Sequence, residues 1–120
     1  MQRLQEARDG GVELVVSPQI LREFLVAATR PPPNGPPPPL APAIQNLRRL
    51  TAAFRVLGES AATVTELAQV LTLAAAYGKQ VHDANIVATM RVHGIPAVLT
   101  NNTSDFARYA GLITVIPLVP

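Results

Sequence analysis

Eight of the chain's twelve prolines crowd into residues 31–42, PPPNGPPPPLAP, and no helix interior or central strand can run through them. Each proline lacks a backbone donor and fixes its own φ, and each pushes the residue before it out of the helical region. The stretch is expected to form a stiff loop of polyproline II character. It reads either as an insertion between helices or as a proline-rich ligand for another domain. The first reading is adopted, because an intradomain connection has to sit here in any case. With 120 residues the chain has room for one domain and not for two of ordinary size. Residues 1–120 are therefore read as a single domain with the 31–42 loop inside it.

On either side of this loop the pattern alternates between helical and extended. Residues 2–9 read as the end of a short helix stopped by Gly10-Gly11. Val12–Val16 is a β-branched run and a strand candidate. Ser17-Pro18 places a capping serine before a proline at the first helical position, which starts a helix over about Pro18–Thr29. Further helices are expected over Pro42–Leu57, Val64–Tyr77 and Val81–His93, the last two stopped by Gly78 and Gly94. Ala97–Thr100 reads as a strand, Asp105–Tyr109 as a helical turn, and Ile113–Ile116 as a last strand. Short apolar strands alternating with helices indicate an α/β domain with a small parallel sheet.

Composition narrows the chemistry. Apolar residues make up 48%, enough for a core, and charged residues only 15% with a net charge of +2. That excludes a charged disordered tail and offers no strong footprint for duplex DNA. The absence of cysteine excludes disulfides, thiolate zinc sites, iron–sulfur clusters and cysteine nucleophiles. With two histidines, any metal would be held mainly by oxygen, which favours Mg²⁺ or Mn²⁺. No apolar run reaches the roughly 18–20 residues of a membrane span, and the first residues are polar rather than signal-like, so a cytoplasmic protein is expected.

The placement of the eight acids is the most informative feature. Glu6, Asp9, Glu13, Glu59 and Glu66 sit in polar neighbourhoods and read as solvated charges. Glu23 interrupts an otherwise apolar helical stripe, Ile20, Phe24 and Ala27. Asp83 opens the stripe completed by Val87 and Met90. Asp105 follows the strand Ala97–Thr100, where the carboxyl ends of parallel strands make a ligand crevice. An acid on an apolar stripe is costly unless it is paired or binds a cation, and converging carboxylates invite a divalent ion. The ordinary alternatives are helix caps for Asp83 and Asp105 and an arginine partner such as Arg22 for Glu23.

The segments VSPQILREFLVAATRP, KQVHDANIVATMRVHGI and VLTNNTSDFARYAGLITVIPL resemble the PIN-domain family, and within it the VapC-like toxin ribonucleases of bacterial toxin–antitoxin pairs. The resemblance covers most of Val12 to Pro117. It implies a Rossmann-like three-layer fold and an endoribonuclease dependent on Mg²⁺ or Mn²⁺. It carries three of the family's four acids onto Glu23, Asp83 and Asp105, and its T-x-N turn onto Thr100 and Asn102. Asp83 would then be the main metal ligand, Asp105 a second or water-bridged ligand, and Glu23 an orienter or base. Thr100 and Asn102 would support the acids and the attacking water. Arg22, Arg30, Arg91 and Arg108 are candidates for the RNA backbone, whereas His82 and His93 read as helix-end residues. The resemblance also implies an antitoxin partner and a homodimer.

The chain departs from the family in one place. The family's first, central strand with its Asp has no counterpart here, and Asp9 does not match it. A chain truncated before that strand is the reading this suggests, with a sheet that is narrower or gapped beside Val12–Val16. The competing reading is a catalytically dead PIN remnant that binds an antitoxin or dimerises. A phosphoacceptor aspartate pocket fits less well, since it needs an acid pair near the first strand and a strand-end lysine.

Overall fold

The computed structural model describes Gly10 and residues 13–118. The expected helix over residues 2–9, the acids Glu6 and Asp9, and Val12 lie outside the described residues. The elements are β1 (Val15–Val16), α1 (Pro18–Ala28), α2 (Leu40–Ala53), β2 (Arg55–Val56), α3 (Ala61–Ala74), α4 (Gln80–His93), β3 (Ala97–Thr100), α5 (Thr103–Phe106), a 3₁₀ turn (Ala107–Tyr109) and β4 (Thr114–Pro117). This is a helix-rich α/β architecture with small parallel sheets. The described residues fall into two compact units, one of Leu14–Leu57 and one of the residues from Gly58 onward together with Gly10 and Glu13.

In the first unit, β1 pairs in parallel with β2, Val15 opposite Arg55 and Val16 opposite Val56. The Leu57 N–H extends the ladder by donating to the Val16 carbonyl at 2.8 Å. Helix α1 starts as its sequence dictates. Ser17 is extended, its hydroxyl accepts from the Ile20 N–H at 3.3 Å, and Pro18 needs no partner for a missing donor. The helix stops where Thr29 turns both its N–H and its hydroxyl back onto the Leu25 carbonyl, at 3.0 and 2.7 Å. Between α1 and α2 the proline stretch is mostly exposed and carries no strand or helix before Leu40.

Several boundaries correct the expectations. The first strand is two residues long rather than five. Helix α2 begins at Leu40, inside the proline block, because Pro42 falls in its first turn, where a missing N–H costs nothing. It ends at Ala53, and Arg55–Val56 forms a strand where helix was expected. The apolar stripe of α1 is not its buried face. Gln19 and Leu21 are the buried residues, while Glu23 and Ala27 are exposed.

The second unit is built around α4. Ala84, Val87 and Ala88 have no exposed surface, and Ile86, Thr89 and Met90 are also buried. A run buried on every side marks a central helix rather than a surface one. The single polar member is satisfied: the Thr89 hydroxyl donates to the Asn85 carbonyl at 2.9 Å. Helix α4 ends at Gly94, whose φ of +69° is the left-handed cap expected of that glycine. Its main partner is α3, which stops at Ala75 and not at Gly78. Ala75 itself takes φ +52°, and the Arg108 guanidinium donates to its carbonyl at 3.4 Å. Beyond α4, β3 and β4 pair in parallel from Ala97 opposite Thr114 to Thr100 opposite Pro117. Strand β4 thus runs one residue later than expected.

Candidate active site

The polar end of β3 is organised by its own residues. Thr100 closes the strand, and its hydroxyl accepts from the Asn102 N–H at 2.9 Å. This local bond turns the chain out of the sheet. The Asn102 carbonyl then accepts from the Asp105 N–H at 3.1 Å, which begins α5. Asp105 lies in the first turn of that helix with its side chain exposed. Thr100, Asn102 and Asp105 therefore belong to one tight strand-to-helix turn, as their spacing anticipated.

Asp83 lies in the first turn of α4 and is half-buried. A carboxylate there is favoured by the helix dipole. The turn leading into it is held by reciprocal bonds. The Gln80 side-chain oxygen accepts from the Tyr77 N–H at 2.9 Å, and the Gln80 N–H donates to the Tyr77 carbonyl at 3.0 Å. Helices α4 and α5 pack together, so the acid-bearing first turns belong to neighbouring elements.

Glu23 sits on α1 in the first compact unit. Its carboxylate is exposed and accepts from the Gln19 amide at 3.3 Å. Among the described residues, no group of three or more histidine or acidic side chains stands ready to hold a metal ion. The second unit offers two carboxylates, Asp83 and Asp105, together with the neutral oxygens of Thr100 and Asn102. Mg²⁺ is commonly bound through one or two protein carboxylates while keeping several waters. In donor chemistry these residues fit a hard, oxygen-seeking ion.

Two acids read as solvated are engaged in the fold. Glu66 on α3 forms an ion pair with Arg91 on α4, and Glu59 accepts from the Asn85 amide at 2.7 Å. Arg91 is thus committed to an internal pair and Arg108 to the end of α3. His93 meets the Gly58 carbonyl at 2.8 Å through Nε2, which agrees with a helix-end role.

The sequence reading passed over Tyr109. Its side chain is fully buried, and its hydroxyl donates to the Gln80 carbonyl at 3.1 Å. Burial pushes its phenol above the usual 10.0, the neighbouring Arg108 cation draws it back down, and the Asp83 carboxylate pushes it up again. The phenol is therefore a protonated donor at neutral pH. The signal available in the sequence was scarcity: Tyr109 is one of five aromatic residues, and it follows Phe106 by three positions.

The acid of the strand-end turn, Asp105, thus lies on a helix packed against the one whose first turn bears Asp83. The chain belongs to the PIN domain family, which it matches over residues 2–112, a span that runs through both compact units. No curated protein matches it. Among the described residues no helix is long and apolar enough to cross a membrane.

Proposed function

We propose that the protein is an endoribonuclease of the VapC-like toxin kind, a single PIN domain over residues 1–120, which hydrolyses RNA phosphodiesters with Mg²⁺ or Mn²⁺. PIN domains are typically nucleases that act on RNA with a divalent metal. The observation that carries the reading is the pairing of the family match with Asp83 and Asp105 on the first turns of two packed helices.

Asp83 and Asp105 would hold the ion. When bound, it would polarise the phosphate and lower the pKa of a coordinated water. The chain's own residues do the rest. The Thr100–Asn102 bond fixes the turn that presents Asp105, and Asp83 sits in the first turn of its helix, where the helix dipole favours negative charge. Glu23 is the third acid that the proposal assigns, as an orienter or base. An antitoxin, a second copy of the chain and a cytoplasmic setting complete the proposal.

The test is cleavage of single-stranded RNA with and without added Mn²⁺. Enzyme is used in excess over RNA, so that slow cleavage is also seen. Cleavage that needs Mn²⁺ and is lost in Asp83→Asn is the expected result. Cleavage that survives both chelation and Asp83→Asn defeats the proposal.

A further inference from the structure

We infer that Tyr109 is a positioning residue for Asp83, its buried hydroxyl holding the first turn of α4 in the place where the metal is taken up. The inference rests on the nuclease reading above and deepens it.

Three observations converge on this side chain. The hydroxyl donates to the Gln80 carbonyl at 3.1 Å, across 29 residues of sequence. Gln80 is the first residue of α4 and Asp83 is three positions on, so both lie in one helical turn and on neighbouring faces. The Tyr109 ring lies 6.2 Å from that of Phe106, tilted by 58°, and Phe106 is the buried residue of the helix that carries Asp105. The Tyr109 carbonyl accepts from the N–H groups of Leu112 and Ile113 at 2.8 and 3.0 Å, which anchors the backbone from which the phenol projects. One residue, with no solvent exposure, thereby joins the turn of one acid to the helix of the other.

A buried phenol needs an acceptor, and many would serve. Here the acceptor is the backbone of the Asp83 turn. The Gln80 side chain already ties that turn to Tyr77. The Tyr109 bond adds the constraint from the side of α5. Groups that orient metal-binding residues from behind commonly govern metal affinity without touching the ion.

The experiment compares wild type, Tyr109→Phe, Tyr77→Phe and Asp83→Asn by Mn²⁺ titration calorimetry, thermal unfolding and amide hydrogen exchange. Tyr109→Phe keeps the ring and removes only the hydroxyl. It is expected to unfold cooperatively, to bind Mn²⁺ about tenfold more weakly, and to exchange faster in the first turn of α4. Tyr77→Phe, at a 77% exposed position, is expected to match wild type in all three. If Tyr109→Phe binds Mn²⁺ like wild type while Asp83→Asn has lost it, the inference is wrong and the nuclease reading stands. Loss of cooperative folding in Tyr109→Phe also overturns it, because the residue is then a core requirement. If wild type takes up no Mn²⁺, or Asp83→Asn binds as well as wild type, the metal site itself fails and the inference goes with it.

Discussion

The two compact units are built on opposite plans. In Leu14–Leu57 the sheet is two residues wide on each strand, both residues of β2 are exposed, and α2 buries only Ala43. In the unit after Gly58, the strands are four residues long and α4 is buried along six positions. Short backbone ladders and half-buried helices secure little apolar area. A central helix packed against α3 and α5 secures much more, at about 25 cal/mol per Å² removed from water. The difference teaches where chemistry can be held rigidly. Asp83, half-buried on a packed helix, keeps its geometry, whereas the exposed Glu23 depends on its own rotamer entropy.

The largest effect should come from setting the acids of the two units against each other. Asp83→Asn is expected to lower Mn²⁺-dependent RNA cleavage by about 100-fold or more, since it removes charge and a hard ligand together. Glu23→Gln keeps the hydrogen-bonding shape of an exposed side chain and is expected to cost less. Single-turnover cleavage rates decide the order. A larger loss in Glu23→Gln would move the centre of the chemistry to the first unit.

Core truncations sharpen the same contrast in stability. Val87 has no exposed surface, and Val87→Ala should cost about 2 kcal/mol from lost burial and the cavity left behind. Val56 is 40% exposed, and Val56→Ala should cost less than about 0.5 kcal/mol. Chemical denaturation of the whole chain measures both. Equal costs would mean that the β1–β2 pair is packed as firmly as α4.

Where the units were legible in the sequence, a local signal was responsible. Ser17-Pro18 started α1 at the right residue, and Gly94 stopped α4. The apolar run Ala97–Thr100 is a strand with its expected limits, and the Thr100–Asn102–Asp105 turn is likewise a local device. What the sequence hid depends on distant partners. Arg55–Val56 becomes a strand only because β1 lies beside it, and two residues carry no periodicity of their own. Helix α3 stops at Ala75 with help from Arg108, which is 33 residues away. Gly78 also has a positive φ, +58°, so the glycine signal was sound but marked the approach to α4 rather than the end of α3. Glu59 and Glu66 looked solvated because Asn85 and Arg91 come to them from another helix. Tyr109 escaped notice for the same reason.

Helix ends give the next smaller effect, and here the units should behave alike. Ser17→Ala removes the hydroxyl that accepts from Ile20 and should cost about 1 kcal/mol. Gly94→Ala forces a side chain into the left-handed region and should cost about 1–2 kcal/mol. Thermal midpoints of the two variants should fall together within a few degrees. A cap in the first unit whose loss goes unnoticed would show that α1 is held by something other than its start.

Alkaline pH should separate the units most gently. Both tyrosines lie after Gly58, and residues 14–57 contain no tyrosine, histidine or lysine, so in this range the first unit has almost nothing to titrate. Tyr109 has its folded pKa raised above the usual 10.0, first by burial, with Arg108 opposing and Asp83 adding to it. Below that unfolded value both states hold the phenolic proton, and the contribution is fully present. As pH rises past 10.0 the unfolded chain releases the proton first, so the folded state loses ground until the raised pKa is passed. Loss of the proton also turns the hydroxyl from a donor to the Gln80 carbonyl into an anion facing it. The thermal midpoint of wild type should therefore fall more steeply above pH 10.0 than that of Tyr109→Phe. The two proteins share every other group, so the difference between them isolates the phenol. Parallel profiles would mean that the Tyr109 environment tolerates the anion, and that the second unit is less tightly closed around α4 than its burial indicates.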